Sequence, residues 1–278
     1  MSIGFALTFY PELRLLANSL RSFRQDQKLN QYQLSKSIGV GVLKAKSCIM
    51  WLGMLGLRDN KKRRLTSLGE LVLKYDPYFE QVEIQWLLHY KLASNPKAEV
   101  WYLLSNEFLP GQTRFSFDDA INFLASKGLR SQNDKHLRAD VSIFLRSFTS
   151  ADALGKTEYL KIENDPKEIV SQNKFYKNPP TDIPSYLIAY VIYDQREKNF
   201  PNLSTVTIEE LLSLKENVGR VFLLNRPKLE EILKLLSSPQ YNQLIYLATT
   251  AGLDQVSLKF KGNPLEILEM YYTKENER

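Results

Sequence analysis

Gly56-Leu57-Arg58-Asp59-Asn60-Lys61-Lys62-Arg63-Arg64-Leu65-Thr66-Ser67-Leu68-Gly69 sets four consecutive cations behind a tight turn. Asp59-Asn60 favours reversal of the chain, so Lys61, Lys62, Arg63 and Arg64 fall on the tip and return limb of a two-stranded hairpin. Upstream, 30–38 and 42–55 carry helical periodicity, with Gly39-Val40-Gly41 as the turn between them. Helix, turn, helix and basic hairpin is the order of a winged helix-turn-helix. Closely spaced Lys and Arg suit a phosphate backbone, because each contact releases condensed counterions. Double-stranded DNA is therefore the expected partner.

Within 42–55, Ala45, Cys48, Ile49, Leu52 and Leu55 form one apolar stripe, which leaves Leu43, Lys46, Ser47, Met50 and Met54 opposite. Reading of base edges relies chiefly on Arg, Asn, Gln or Lys, and only Lys46 and Ser47 meet that need. The expected DNA-contacting set is Lys44, Lys46, Arg58, Lys61, Lys62, Arg63 and Arg64, gripping backbone with weak base discrimination. Leu43, Met50 and Met54 are expected to bind a partner or to lie beneath a second layer.

Charge is distributed in the same sense. Residues 1–75 hold thirteen Lys and Arg against four Asp and Glu, a net of +9, whereas the whole chain carries only +6. A positive field confined to one end favours a polyanion there and little for one elsewhere. The opposing reading, a solvated charged face, has the same composition.

The remaining pattern reads as helices with short strands. The chain is expected to be mainly α with small β-hairpins: a winged helix-turn-helix over 1–78, a helical domain over 79–177, and a helical domain with short strands over 178–278. Helices are expected at 80–93, 98–109, 118–127, opened by the capping box Ser116-Phe117-Asp118-Asp119, and 136–148. The last two read either as a second helix-turn-helix or, with no basic wing after them, as scaffold. Residues 159–184 read as loop, with Asn178-Pro179-Pro180 marking a boundary. Beyond it come helices at 185–199, 208–214, 228–237 and 264–272, and strands at 220–224 and 256–261.

The order and spacing of several short stretches resemble the DUF4007 family, bacterial proteins defined as a domain of unknown function, over nearly the whole chain. They are Ile38-Gly39-Val40-Gly41 with Trp51, Leu65-Thr66-Ser67-Leu68-Gly69, Asp76-Pro77-Tyr78, Trp86-Leu87-Leu88-His89-Tyr90, Trp101-Tyr102 with Asn106-Glu107-Phe108, Leu137-Arg138-Ala139-Asp140-Val141 with Phe144-Leu145-Arg146, Gly219-Arg220-Val221-Phe222 and Thr250-Ala251-Gly252-Leu253. The resemblance implies a context: genes of this family lie in bacterial defence islands, often beside a sulfurtransferase of the kind used in DNA phosphorothioation. It thus implies an accessory protein of DNA modification or restriction, with a sulfurtransferase or restriction enzyme encoded nearby as a second partner. Relatives usually show His-Glu-Ser/Thr-Phe near the amino terminus. Here the corresponding stretch is Leu7-Thr8-Phe9-Tyr10-Pro11, so that motif's role does not carry over.

No catalytic constellation stands out, and no cofactor or metal is expected. His89 and His136 are not at metal-ligand spacing, and Cys48 on an apolar stripe reads as a packed thiol. Glu107, Asp140, Arg138 and Arg146 sit in apolar helices and are expected to form buried ion pairs. Asp118 and Asp119 read as helix-start residues rather than metal ligands, and no Walker or Rossmann fingerprint occurs. No apolar run reaches the roughly 18 residues of a spanning helix. With Met1-Ser2-Ile3-Gly4 lacking signal-peptide character, a cytoplasmic location is expected. Three functions stay open: a non-catalytic DNA-binding protein, which the basic hairpin favours, an interaction subunit docking a modification or restriction enzyme, and an enzyme with an unfamiliar site.

Overall fold

The computed structural model describes residues 9–129, 134–163, 173–199, 201–250 and 253–276. The fold is mainly helical with small antiparallel sheets, and the chain divides into two compact units, Met1–Asn178 and Pro179–Arg278. The segments 1–78 and 79–177, expected as separate domains, both lie in the first unit.

The first unit opens with α1 (Leu13–Gln25), whose Leu13, Leu16, Ala17, Leu20 and Phe23 are buried. Next is α2 (Gln31–Ile38), started by Asn30, whose side chain accepts from Tyr32 and Gln33 N–H while Gln33 caps in return. Gly39, at φ 67°, ends that helix, a conformation glycine adopts without steric cost. The chain then turns by 103° into α3 (Val42–Met54). Strands β1 (Arg58–Asp59) and β2 (Arg64–Leu65) pair antiparallel, Arg58 opposite Leu65. Thr66 caps α4 (Ser67–Tyr75).

Trp51 of α3 does not close this segment on itself. It meets Trp101 edge-on at 5.4 Å, and Trp101 meets Phe144 at 5.1 Å. These rings come from α6 (Glu99–Leu103) and α8 (Lys135–Thr149). Phe144 continues to Phe148 and Tyr159, and Tyr159 to Trp86 on α5 (Val82–Ala93). One aromatic core therefore joins the first 78 residues to the helices that follow.

Several expectations are corrected. The helix expected over 98–109 is α6, then a π-turn at Leu104–Phe108 and a 3-10 turn at Leu109–Gly111. The Asn106 amide donates to Ala93 and Tyr102 carbonyls at 2.8 Å each, a local polar tie that sequence period does not encode. Residues 159–184 are not all loop: β4 (Leu160–Ile162) and β5 (Lys174–Lys177) form a sheet with β3 (Arg114–Ser116), β5 in the middle. Phe115 and Phe175 stack beneath it at 5.7 Å, so short strands are held by pairing across the chain rather than by a local pattern. Capping by Ser116 starts α7 (Phe117–Ser126) as expected. Glu107 pairs with Lys127 at 2.6 Å and Arg138 with the exposed Asp118 at 3.2 Å, so these charges use surface partners supplied by α7 and the turn after it.

In the second unit α9 (Ser185–Asn199) is buried on nearly every side. Its Tyr193 hydroxyl donates to the Leu244 carbonyl and accepts from Phe260 N–H. The Thr207 side chain caps α10 (Ile208–Ser213) by accepting the Glu210 N–H. The strand expected at 220–224 is instead helical, α11 (Val218–Phe222). A short apolar run buried all round has no period to separate strand from helix, and here Asn217 caps it while Gly219 lies against Leu212 backbone. There follow α12 (Arg226–Leu236), β7 (Ile245–Thr250), β8 (Leu253–Leu258) and α13 (Pro264–Asn276), with β8 central between β7 and β6 (Thr205–Thr207).

Among the described residues no single helix is long and apolar enough to cross a membrane. Gly69 gives the first unit its tightest backbone approach: a Cβ there would lie 2.1 Å from the Leu57 carbonyl oxygen. Gly69→Ala is expected to destabilise the chain by about 1–3 kcal/mol, read as a lowered urea midpoint.

Candidate nucleic-acid interface

The hairpin is shaped by its own first residues. The Asp59 carboxylate accepts the Lys62 and Lys61 backbone N–H groups at 2.9 and 3.0 Å. Those bonds, led by the one from Lys62 and aided by the Lys62 and Arg64 charges, hold its pKa below the usual carboxylate range. Arg63 closes the turn in the left-handed region, φ 51°. Its guanidinium donates to the Lys28 carbonyl.

Arg58, expected to touch DNA, faces the other way. It is only 4% exposed and lies over the Phe23 ring at 4.1 Å. It donates to the Asn60 side-chain oxygen at 2.7 Å and to the Gln27 carbonyl at 3.1 Å. Burial, and then the nearby Arg63 charge, lower its pKa. The Asn60 amide in turn donates to the Ile49 carbonyl of α3 at 2.9 Å. Arg58 is therefore the bolt that holds the hairpin to the α1–α2 turn, and its burial removes it from the backbone-contacting set.

Lys44 is also engaged, in an ion pair of 2.7 Å with Glu12, where the Phe9 ring lies 5.7 Å away. Phe9 and Tyr10 belong to the stretch that departs from the family motif, of which Leu7 and Thr8 lie outside the described residues. The Phe9 carbonyl accepts from the Trp51 indole at 3.0 Å. Tyr10 donates to Asp152, and burial first, then that bond, push its pKa up to about 12.

Lys46, Lys61, Lys62, Arg63 and Arg64 remain exposed, and among the described residues none of them forms an ion pair with an acidic side chain. Sequence reasoning named these five, together with two cations, Lys44 and Arg58, whose partners lie far along the chain or across the fold.

The apolar set separates likewise. Leu43 is 65% exposed and Met50 is half-buried. Met54 is half-buried like Met50; its carbonyl accepts from the Asn95 amide at 3.1 Å, and its sulfur lies 3.6 Å from the same nitrogen. Elsewhere, Cys48 is buried and burial pushes its thiol up, which disfavours the reactive thiolate. His89 is packed among Trp86, Phe148 and Tyr159, and among the described residues no three His, Cys, Asp or Glu side chains gather as a metal site.

The family model of DUF4007, described as a protein of unknown function, matches residues 7–272. No curated protein matches the chain significantly. Two crystal structures share its fold: one of SspB, with TM-score 0.79 and 16% identity, and one of magnesium ion-bound SspB, with TM-score 0.78 and 17% identity. Each alignment covers 99% of this chain and 89% of the other. At that identity the likeness concerns fold alone.

The two arginines of the hairpin should separate experimentally. Arg58→Ala is expected to cost about 1–3 kcal/mol, since it removes the buried guanidinium's packing on Phe23 and its bonds to Asn60 and the Gln27 carbonyl. Arg64→Ala, at an exposed site, should leave the denaturation midpoint unchanged.

Proposed function

The chain belongs to the DUF4007 family, and we propose that it is a non-catalytic DNA-binding protein that holds duplex backbone through a basic wing. The observation that carries this reading is the row Lys61 to Arg64, exposed and free of acidic ion-pair partners among the described residues. We read α2, the 103° turn, α3 and the β1–β2 hairpin as a winged helix-turn-helix. Buried Arg58 gives that wing a fixed attitude, so its cations meet a phosphate row without first being ordered. Lys46 on α3 adds a further exposed cation. The face of α3 offers few base-reading groups, so binding is insensitive to sequence. The setting, a bacterial DNA modification or restriction system, rests on the family resemblance. The magnesium of the SspB structure belongs to that protein.

The test is salt dependence. Fluorescence anisotropy with a 30-bp duplex should give affinity falling steeply with salt. The triple variant Lys61→Ala, Lys62→Ala, Arg64→Ala should flatten the logarithmic slope by roughly 2 to 3, at about 0.9 per lost phosphate contact. An unchanged slope would overturn the proposal.

A second reading, docking of a sulfurtransferase or restriction enzyme, draws on exposed Leu43 beside half-buried Met50. Leu43→Glu should then abolish co-elution with the co-expressed neighbour while leaving the duplex salt slope intact.

A further inference from the structure

The wing is not an isolated projection. Arg58 and Arg63 donate to the successive carbonyls of Gln27 and Lys28, which fastens its tip to the turn entering α2. Two residues beyond that turn's Asn30 cap, in the first turn of α2, stands Tyr32, 62% exposed. The Asn30 side chain fixes its backbone, accepting the Tyr32 N–H at 2.9 Å. Lys28 precedes it by four residues, and Lys36 follows by four on the same helix face. Both are exposed. Since Arg63 is bonded at the Lys28 carbonyl and four residues span on the order of 13 Å at most, Tyr32 lies within that reach of the point where the wing is anchored. From 24 to 36 and from 58 to 64 there are seven exposed Lys and Arg, buried Arg58 aside, against Asp26 and Asp59, so these two segments are strongly positive.

An exposed aromatic ring gains little from an intact duplex, where neighbouring base pairs cover the base faces. A single-stranded segment offers those faces, and stacking on an aromatic side chain adds to the electrostatic grip of neighbouring cations. We propose that Tyr32 is a stacking platform for an unpaired base, so that this surface prefers DNA carrying a single-stranded gap to uninterrupted duplex. The inference rests on the DNA-binding reading and specifies the substrate class of that site. Lys28 and Arg63 take the flanking phosphates, and Tyr32 takes the base.

The experiment compares the full chain on a 30-bp duplex and on the same duplex carrying a six-nucleotide single-stranded gap, at one salt concentration. The gapped DNA is expected to bind roughly tenfold more tightly, within the range of one base stacked on an aromatic ring. Tyr32→Leu should abolish that difference, and Tyr32→Phe should keep it. Both variants should retain the thermal midpoint of the parent, because the side chain is exposed, and should retain its affinity and salt slope on intact duplex. Equal binding of the two DNAs by the parent overturns the inference, as does loss of the preference in Tyr32→Phe, which would assign the contact to the hydroxyl and a phosphate. Failure of the wider reading looks different: the parent would bind neither DNA, or the wing variant would leave the salt slope unaltered.

Discussion

The first unit depends on a run of aromatic contacts, edge-to-face except for the tilted Phe148–Tyr159 pair, from Trp51 through Trp101, Phe144, Phe148 and Tyr159 to Trp86. Each such pair contributes about 0.5–1.5 kcal/mol beyond the area it buries. Because Trp51 lies on α3, the helix beside the basic hairpin is anchored in the helical core and not merely attached to it. Its indole N–H bonds to the Phe9 carbonyl, so the chain before α1 is tied to the same ring. A rigid support of this kind positions a surface contact better than a mobile arm does.

On that support the arginines of one hairpin divide between two tasks. Arg58 spends its donors on Asn60 and the Gln27 carbonyl and its flat face on Phe23. Arg64, on the opposing strand, projects into solvent. The alternation of a strand accounts for the difference: Arg58 is opposite Leu65, whose side chain is also buried, whereas Asp59 and Arg64 form the outward pair. Lys44 is held by Glu12, from the residue just before α1, and this leaves Lys46 as the exposed cation of the α3 pair.

Elements with a local cause were legible. Ser116 announced a helix start, because a capping side chain acts within three residues. The apolar stripe of α3 and the chain reversal that follows Asp59 were equally local. The segment 220–224 was misread as strand, for an apolar run buried on every side keeps no period. The sheet of β3, β5 and β4 was missed because its strands are three or four residues long and β3 pairs with β5 across about sixty positions of chain.

The candidate surface divides in the same way. By itself the sequence determined that five cations would crowd a turn, that helices would dominate, and that the basic charge would gather in the first 75 residues, since these follow from composition and short-range stereochemistry. Only the tertiary structure decided which cations face water. Arg58 and Lys44 find partners at Gln27 and Glu12, 31 and 32 residues away. Side-chain hydrogen bonds and ion pairs are set by proximity in space, and chain order does not record it.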